Sequence, residues 1–414
     1  MGLMRRLFLP LLFLAMLALL GGLYLGGAEP LLRNFLDFYL VHHDLPPFGD
    51  AHGITSAMAC ERRGIETYLG NPCHYKPVSF VYPPVWKLLA LLPINGSWTV
   101  PVALSFIAVF AAALYFLPPA GSRRGQVFAA LAVLSPATLM AADYGNNDML
   151  VFAVIVAAIA ALGWRPALGY GLLLLAGLLK YFPFAALGWA GGERPRVTAG
   201  VAAVLAGVLI LFVWLAGAQL PLSLASMVTM SAGSYVFGIK DLPIMAGELG
   251  LVGGPGALAI RLTVTAALLV IGWQRATRFA LADVRSALSA AEWRFLIVGS
   301  LVLLGAYIGN QNLVYRMIFV LLVLPGLDAL RAVPGQRFGV IAAIAVALMY
   351  LFPLRVHVQA LFTPGSGGEL IVTVIGILLR EALWFTLAAT LLGLVFVHLR
   401  AGPIWQRISA RHSG

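Results

Sequence analysis

The sequence predicts an all-α polytopic membrane protein, and three observations carry that reading. Hydrophobic residues make up 61% of the 414-residue chain and charged residues only 10%. Mean hydropathy is +0.94, and apolar runs recur along the whole length, as a bundle of bilayer-spanning helices requires. The short alternating strands that a closed barrel needs do not occur in the sequence. Residues 1–414 read as a single integral membrane domain. A net charge of +11 would suggest nucleic acid in a soluble protein. Here Arg5, Arg6, Arg400, Arg407 and Arg411 flank apolar runs, so orientation and anionic headgroups account for the charge and no nucleic-acid partner is expected.

About twelve crossings are expected, over 7–27, 81–94, 99–117, 126–142, 149–163, 167–188, 197–216, 257–273, 295–308, 316–330, 338–353 and 369–398. The first is too long and too apolar for a cleaved secretory signal and is read as a retained helix. With Arg5 and Arg6 inside, the 28–80 loop falls outside, GGERPR (191–196) inside, the 218–256 loop outside and the basic tail inside. One basic stretch breaks the positive-inside rule: Ser122-Arg123-Arg124 is left outside. Several segments hold only about 14–16 residues, or about 21–24 Å, against a hydrocarbon core of about 30 Å. Such helices must be extended, surrounded by protein, or matched by local thinning.

The first loop is the polar excursion of the chain. Residues 28–84 hold six of the sixteen acidic residues, four of the seven histidines and both cysteines. Aqueous chemistry is therefore sought there. Cys60 and Cys73 both lie on the expected external side, where an isolated pair suggests a disulfide. Closing a loop of this size stabilises by about 3 kcal/mol on the chain-entropy account. The alternative is a zinc site using His42, His43, His52 and His74 with a carboxylate, but this spacing fits no usual ligand pattern.

Residue order within the loop is informative. Phe48-Gly49-Asp50-Ala51-His52-Gly53 leads into a small-residue helix through Cys60. Gly64 and Tyr68 follow, and Tyr82-Pro83-Pro84 forms a helix start, where proline is tolerated because no amide donor is needed. This succession resembles the first luminal or periplasmic loop of the GT-C glycosyltransferases, most of all glycosyltransferase family 87, the bacterial polyprenol-phosphate-mannose-dependent enzymes. The resemblance continues through Ser135-Pro136 and Asp143-Tyr144-Gly145-Asn146-Asn147-Asp148, with asparagine where the family usually has glutamine. It extends to Leu179-Lys180-Tyr181-Phe182-Pro183, and to Asn310-Gln311-Asn312 with Tyr315-Arg316 and Leu324-Pro325. Residues 50 to 325 are covered; about the last 80 residues add only hydrophobicity.

The resemblance implies a GT-C-like helix bundle in the bacterial inner (plasma) membrane, with its site facing the periplasm or cell exterior. It also implies transfer of a sugar, mannose by family default, from a polyprenyl-phosphate donor to a glycolipid or glycan acceptor. The leaving phosphate departs as an anion without protonation, whereas the acceptor hydroxyl needs a base, so one carboxylate suffices and the anomeric centre inverts. Asp50 matches the base position; it could instead be the N-cap of the following helix. Asp37 and Asp44 are the other carboxylates in reach. His52 and Tyr82 are candidate substrate-binding residues. Arg316, preceded by Asn310 and Asn312, is a candidate ligand for the donor phosphate, because guanidinium suits phosphate oxygens; simple snorkelling is the alternative. Lys180 falls towards the cytosolic half by this count and reads as an interhelical cation. No cofactor is required, no metal ligand is assigned, and a divalent ion is compatible with the chemistry but not demanded by it.

The second external loop, with Ser231, Ser234, Tyr235, Lys240, Asp241, Glu248 and many glycines, suits either a lid over the donor or a plain tether. A transporter or lipid-linked-sugar flippase is the other functional class. It would show inverted repeats and broken helices, and no convincing repeat is evident. A non-catalytic assembly or polymer-export subunit is a third class, and Asp50 with Tyr82-Pro83-Pro84 favours an enzyme over both.

Overall fold

The computed structural model describes residues 2–39, 47–76, 78–227, 230–232 and 235–412. Its helices confirm the all-α class. Eight are long and apolar enough to cross a membrane: Leu3–Leu25, Gly96–Tyr115, Arg123–Asp143, Pro195–Ala216, Gly254–Arg278, Ala290–Gly309, Phe338–Gln359 and Gly367–Ala401. Two shorter apolar helices, Asp148–Leu162 and Pro166–Leu179, accompany them. The only strands among the described residues are Val236–Phe237 and Asn312–Leu313, paired antiparallel with Val236 opposite Leu313.

Burial separates central from peripheral helices. Ala290–Gly309 has 72% of its apolar window buried, against 6% for Pro195–Ala216 and 11% for Gly254–Arg278. Tyr307 of this central helix stacks on Trp384, and both side chains are fully buried, as are Phe152 and Phe319. The peripheral helices instead turn Ile210, Trp214 and Leu215 outward. Exposing such side chains to water forfeits about 25 cal/mol for each Å² of apolar surface. Lipid imposes no such cost, so these surfaces suit a bilayer.

The connecting segments sort to two ends of the bundle. At one end the Gly49–Glu61 helix meets the 143–148 turn, with the amides of Asp50 and Ala51 donating to the Tyr144 carbonyl at 3.0 and 3.3 Å. The Tyr181 hydroxyl meets Ser223 there at 3.2 Å, and Tyr235 and Asn312 join through the strand pair. At the other end Ser122 Oγ donates to Asp328 at 2.6 Å, and Arg6 stands over the Tyr115 ring. His398 meets the Trp189 carbonyl at 2.9 Å, and Arg400 donates to the Ala276 carbonyl at 3.1 Å. Arg5, Arg6, Arg123, Arg124, Arg194, Arg275 and Arg278 all belong to this second, basic end.

Two expected crossings are corrected. The segment 81–94 is not a transmembrane helix but a 3₁₀ stretch, Pro84–Leu91, and both of its ends stay at the Asp50 end of the bundle. Tyr82 donates to the Asp50 carbonyl at 3.4 Å, while Arg62 donates to the carbonyls of Leu92 and Ile94 at 2.6 Å each. Its Lys87 is held by Glu61 and Glu66 at 2.8 and 2.6 Å, a polar anchorage concealed by the apolar residues on either side. Conversely, 167–188 is two elements. The Pro166–Leu179 helix ends at Lys180, and the 3₁₀ segment Phe182–Gly192 then returns to the basic end, where Gly192 faces His398. The two errors compensate, and everything between them changes ends. Ser122-Arg123-Arg124 joins the other basic residues, and Asn146-Asn147-Asp148 joins Asp50.

The end assignment is open to labelling in sealed vesicles. Cysteine at Ser97 should react with an impermeant maleimide from the same side as cysteine at Gly70, and cysteine at Gly121 from the opposite side. Ser97→Cys and Gly121→Cys reacting in the reverse sense would restore a crossing at 81–94.

Candidate functional site

The site begins with a helix terminus. Arg123–Asp143 is broken at Ser135-Pro136, where Ser135 caps the second half by accepting from the Thr138 amide at 3.3 Å. That half closes in a Schellman motif: the Gly145 amide donates to Ala142 and the Asn146 amide to Ala141, at 3.0 and 2.9 Å. Gly145 sits at φ +56°, and a Cβ there would lie 2.6 Å from that of Ala103 and 3.2 Å from those of Ala51 and Phe48. Only glycine supplies both the left-handed turn and the close approach. Asn146 is thereby aimed at the loop helix. Its Oδ1 accepts from the Asp148 amide at 2.7 Å, and its Nδ2 donates to the Asp50 carboxylate.

Asp148 opens the Asp148–Leu162 helix and is fully buried. An anion in a first turn and a cation past a last turn both suit the helix dipole. The cation is Lys180, at the C-terminus of Pro166–Leu179, with Nζ 3.0 Å from Asp148 Oδ1. Arg316, on the 3₁₀ turn Val314–Phe319, brings Nε within 3.4 Å of Asp148 Oδ2. Lys180 also stands over the rings of Tyr82 and Tyr315, at 5.5 and 5.9 Å. Asp50, Asn146, Asp148, Lys180 and Arg316 thus form one chain of contacts carrying two acids and two cations.

Three members of this chain, Asp50, Lys180 and Arg316, wall a cavity of about 1200 Å³ together with Tyr82, Tyr235 and Tyr315. Burial holds the Asp50 carboxyl above the usual carboxylate range; the Asn146 hydrogen bond, Lys180 and Arg316 pull it back, while Asp148 adds to the rise. A carboxylate so poised accepts a proton more readily than an exposed one.

The candidates taken from sequence fare unequally. Asp50 is not the N-cap: Phe48 holds that position at φ +68°, without a side-chain cap, and the Asp50 carboxylate turns to Asn146. Tyr82 lines the cavity beside Asp50. Arg316 does not snorkel; only its Nε is sequestered without a hydrogen bond, so the rest of the guanidinium faces the cavity. Lys180 is an interhelical cation, pairing with Asp148 of the neighbouring helix, but it stands at the cavity and not towards the basic end; its displacement followed from the crossing miscounted at 81–94. His52 is corrected to a packing role: Nδ1 meets Thr99 Oγ1 at 3.0 Å, and its ring lies behind His74 and Tyr75, away from the cavity lining. Asn310 and Asn312 both line the cavity, though the Asn312 Nδ2 is spent on structure, donating to the carbonyls of Ala306 and Asn310 at 2.5 and 2.9 Å. Asp37 is exposed on the Glu29–Phe38 helix and does not line the cavity. Asp44 lies outside the described residues, as do His42 and His43.

Cys60 and Cys73 are disulfide-bonded, with Cα atoms 5.9 Å apart, which ties the end of the loop helix to the segment carrying His74 and Tyr75. Among the described residues no group of three or more His, Cys, Asp or Glu side chains is placed to hold a metal. Asn146 and Asp148 were missed as site residues. Their signal was an Asn-Asn-Asp run between apolar segments, assigned to the wrong end.

The second loop is fastened rather than free. Asp241 is fully buried, 2.8 Å from Arg380 and 3.0 Å from Gln311 Nε2, and Phe237 stacks on Trp384 with ring centroids 4.5 Å apart. Ser234 lies outside the described residues.

Gly145→Ala should lower stability by about 1–3 kcal/mol, combining left-handed strain with the clash against Ala103. Thermal unfolding in detergent measures it. Gly171→Ala, in a helix with open space around the new methyl, should be neutral or slightly stabilising. Equal behaviour of the two variants contradicts the fit described for the turn.

Comparison with protein families, with curated proteins and with solved structures finds no match to this chain.

Proposed function

We propose that this protein is an inverting glycosyltransferase. It moves a sugar, mannose by the resemblance noted above, from a polyprenyl-phosphate donor to a hydroxyl of a lipid or glycan acceptor. The observation that most supports this reading is Asp50 itself: a carboxylate on the wall of a large cavity, held by Asn146 and backed by Lys180 and Arg316.

Twelve crossings fit the fold. They comprise the eight long helices, the two shorter apolar ones, the segment Phe182–Gly192, and the run from Val314 through Ala329. The eleven residues of Phe182–Gly192, at about 2.0 Å rise in a 3₁₀ helix, cover about 22 Å. With the basic end inside, as charge bias in membrane proteins favours, the cavity opens on the outer face of a bacterial inner membrane.

In the proposed reaction the acceptor hydroxyl gives its proton to the Asp50 carboxylate as its oxygen attacks the anomeric carbon. The carbon–oxygen bond to phosphate breaks on the opposite side, and the phosphate leaves with the bonding pair. Asn146 fixes which oxygen of Asp50 faces the acceptor. Arg316 offers its terminal nitrogens to the leaving phosphate, while Asp148 holds Arg316 and Lys180 in place. These groups act in a water-poor site, where oriented charge is most effective. No cofactor enters these steps.

Asp50→Asn preserves shape and can still accept from Asn146, but it takes no proton. Turnover should fall by about 10²-fold or more with donor binding retained, while Asp37→Asn stays near wild type. An Asp50→Asn protein that transfers sugar at near wild-type rate removes the base assignment.

The pH profile is a separate check. A base works only when ionised, and the folded pKa of Asp50 is raised, so kcat/KM should decline with falling pH at an acid limb above the ordinary carboxylate value of about 4. Asn146→Ala removes a contact that favours the ionised form and should move that limb to higher pH. A limb that stays in place or moves lower contradicts the role of Asn146.

A further inference from the structure

The cavity holds a second pair of cations, and it differs from the first in having no counter-charge. Lys240 and Arg261 are half-buried and line the same cavity as Asp50. Lys240 precedes the helix Asp241–Glu248, which packs on Gly254–Arg278, the helix that carries Arg261, and the two charges repel one another. Lys240 lies three residues beyond the end of the paired strand and is fixed by its neighbours: the Ile239 amide donates to the Tyr307 carbonyl at 2.8 Å, and Asp241 is bound to Arg380 and Gln311. The neighbouring acids are engaged elsewhere. Asp241 points into its own buried network, and Glu248 accepts from the Ala232 amide at 3.3 Å. Among the described residues neither Lys240 nor Arg261 has an ion-pair partner. Burial and the nearby Arg261 both push the Lys240 ammonium below its usual range, which marks a site where positive charge is uncompensated.

Two like charges held together in a half-buried cavity wall are unfavourable until an anion lies between them. We infer that Lys240 and Arg261 form an anion subsite for a phosphate carried by the acceptor, which makes the acceptor a phosphate-bearing membrane lipid. This rests on the transferase reading. The donor phosphate is bonded to the oxygen on the reacting carbon, so it must lie within one sugar of Asp50. The cations whose charge bears on the Asp50 carboxylate are Lys180 and Arg316. An anion site set apart from these fits the other substrate, whose reacting hydroxyl and phosphate are separated by the rest of its headgroup. Guanidinium and ammonium together give several donors to the oxygens of one phosphate.

Dodecyl phosphate is the probe, titrated calorimetrically into the full-length protein in nanodiscs of neutral phosphocholine lipid. Wild type should bind it saturably. Lys240→Gln and Arg261→Gln should each weaken binding about ten-fold or more, while Lys240→Arg and Arg261→Lys retain it and show that the fold survives. Arg123→Gln, exposed at the opposite end of the bundle, should leave it unchanged. In a transfer assay the two Gln variants should raise the KM for acceptor and spare that for donor. Unchanged dodecyl phosphate affinity in both Gln variants overturns the subsite. A rise confined to the donor KM also overturns the proposal, by assigning the site to a second donor phosphate. Loss of probe binding in a protein that transfers no sugar leaves the anion site standing and removes the transferase reading instead.

Discussion

A buried carboxylate organises this molecule. Asp148 has no exposure at all, and an anion without water must be met by cations. Lys180 and Arg316 supply them, from elements separated by more than a hundred residues of sequence. The requirement fixes where three elements end: the first turn of Asp148–Leu162, the last turn of Pro166–Leu179, and the 3₁₀ turn that carries Arg316. Removing one member of such a pair leaves the other charge buried and uncompensated, at a cost of about 3–5 kcal/mol. The arrangement is therefore held together by the penalty for disturbing it.

Asp50 inherits its position from that arrangement. The Schellman turn at Gly145 places the Tyr144 carbonyl under the amides of the loop helix and the Asn146 side chain against the Asp50 carboxylate. Asn146 also holds the Asp148 amide, so the acid that lines the cavity and the acid buried behind it are linked through a single side chain. The disulfide and the Lys87 anchorage hold the rest of the loop to the same end. A catalytic or binding carboxylate supported on several sides keeps its orientation when a substrate displaces water.

A second ionic network reaches the cavity through Gln311. Asp241, Arg380, Glu381 and Gln311 join the 218–256 loop to the longest helix and to the strand that precedes Arg316. Burial raises the Asp241 carboxyl to about 6, against the pull of Arg380. Together with the Phe237–Trp384 stack, this ties residues 235–248 to the bundle. The glycines that suggested a lid are thus compatible with a segment whose centre is tied down.

What the sequence determined alone was whatever follows from local composition. Apolar content set the all-α membrane class, the polar first loop marked the end at which the cavity lies, and paired cysteines on one side announced a disulfide, whereas Asp50 was singled out among the loop's carboxylates only by the family resemblance. Proline punctuation also marked a real element start at Pro84. The topology of the first half was not legible. An apolar run reads alike whether it is a short 3₁₀ stretch anchored by Lys87 or a helix that crosses, and whether it is one long element or two folded back at Lys180. Only the tertiary structure decided which residues face Asp50. Asn146, Asp148, Lys180 and Arg316 are scattered along the chain, and pairing buried charges is a condition on positions in space that no local pattern records. For the same reason His52 and Asn312, adjacent to the right residues in sequence, turned out to be held by Thr99 and by a helix end. Side-chain direction is set by what packs behind it.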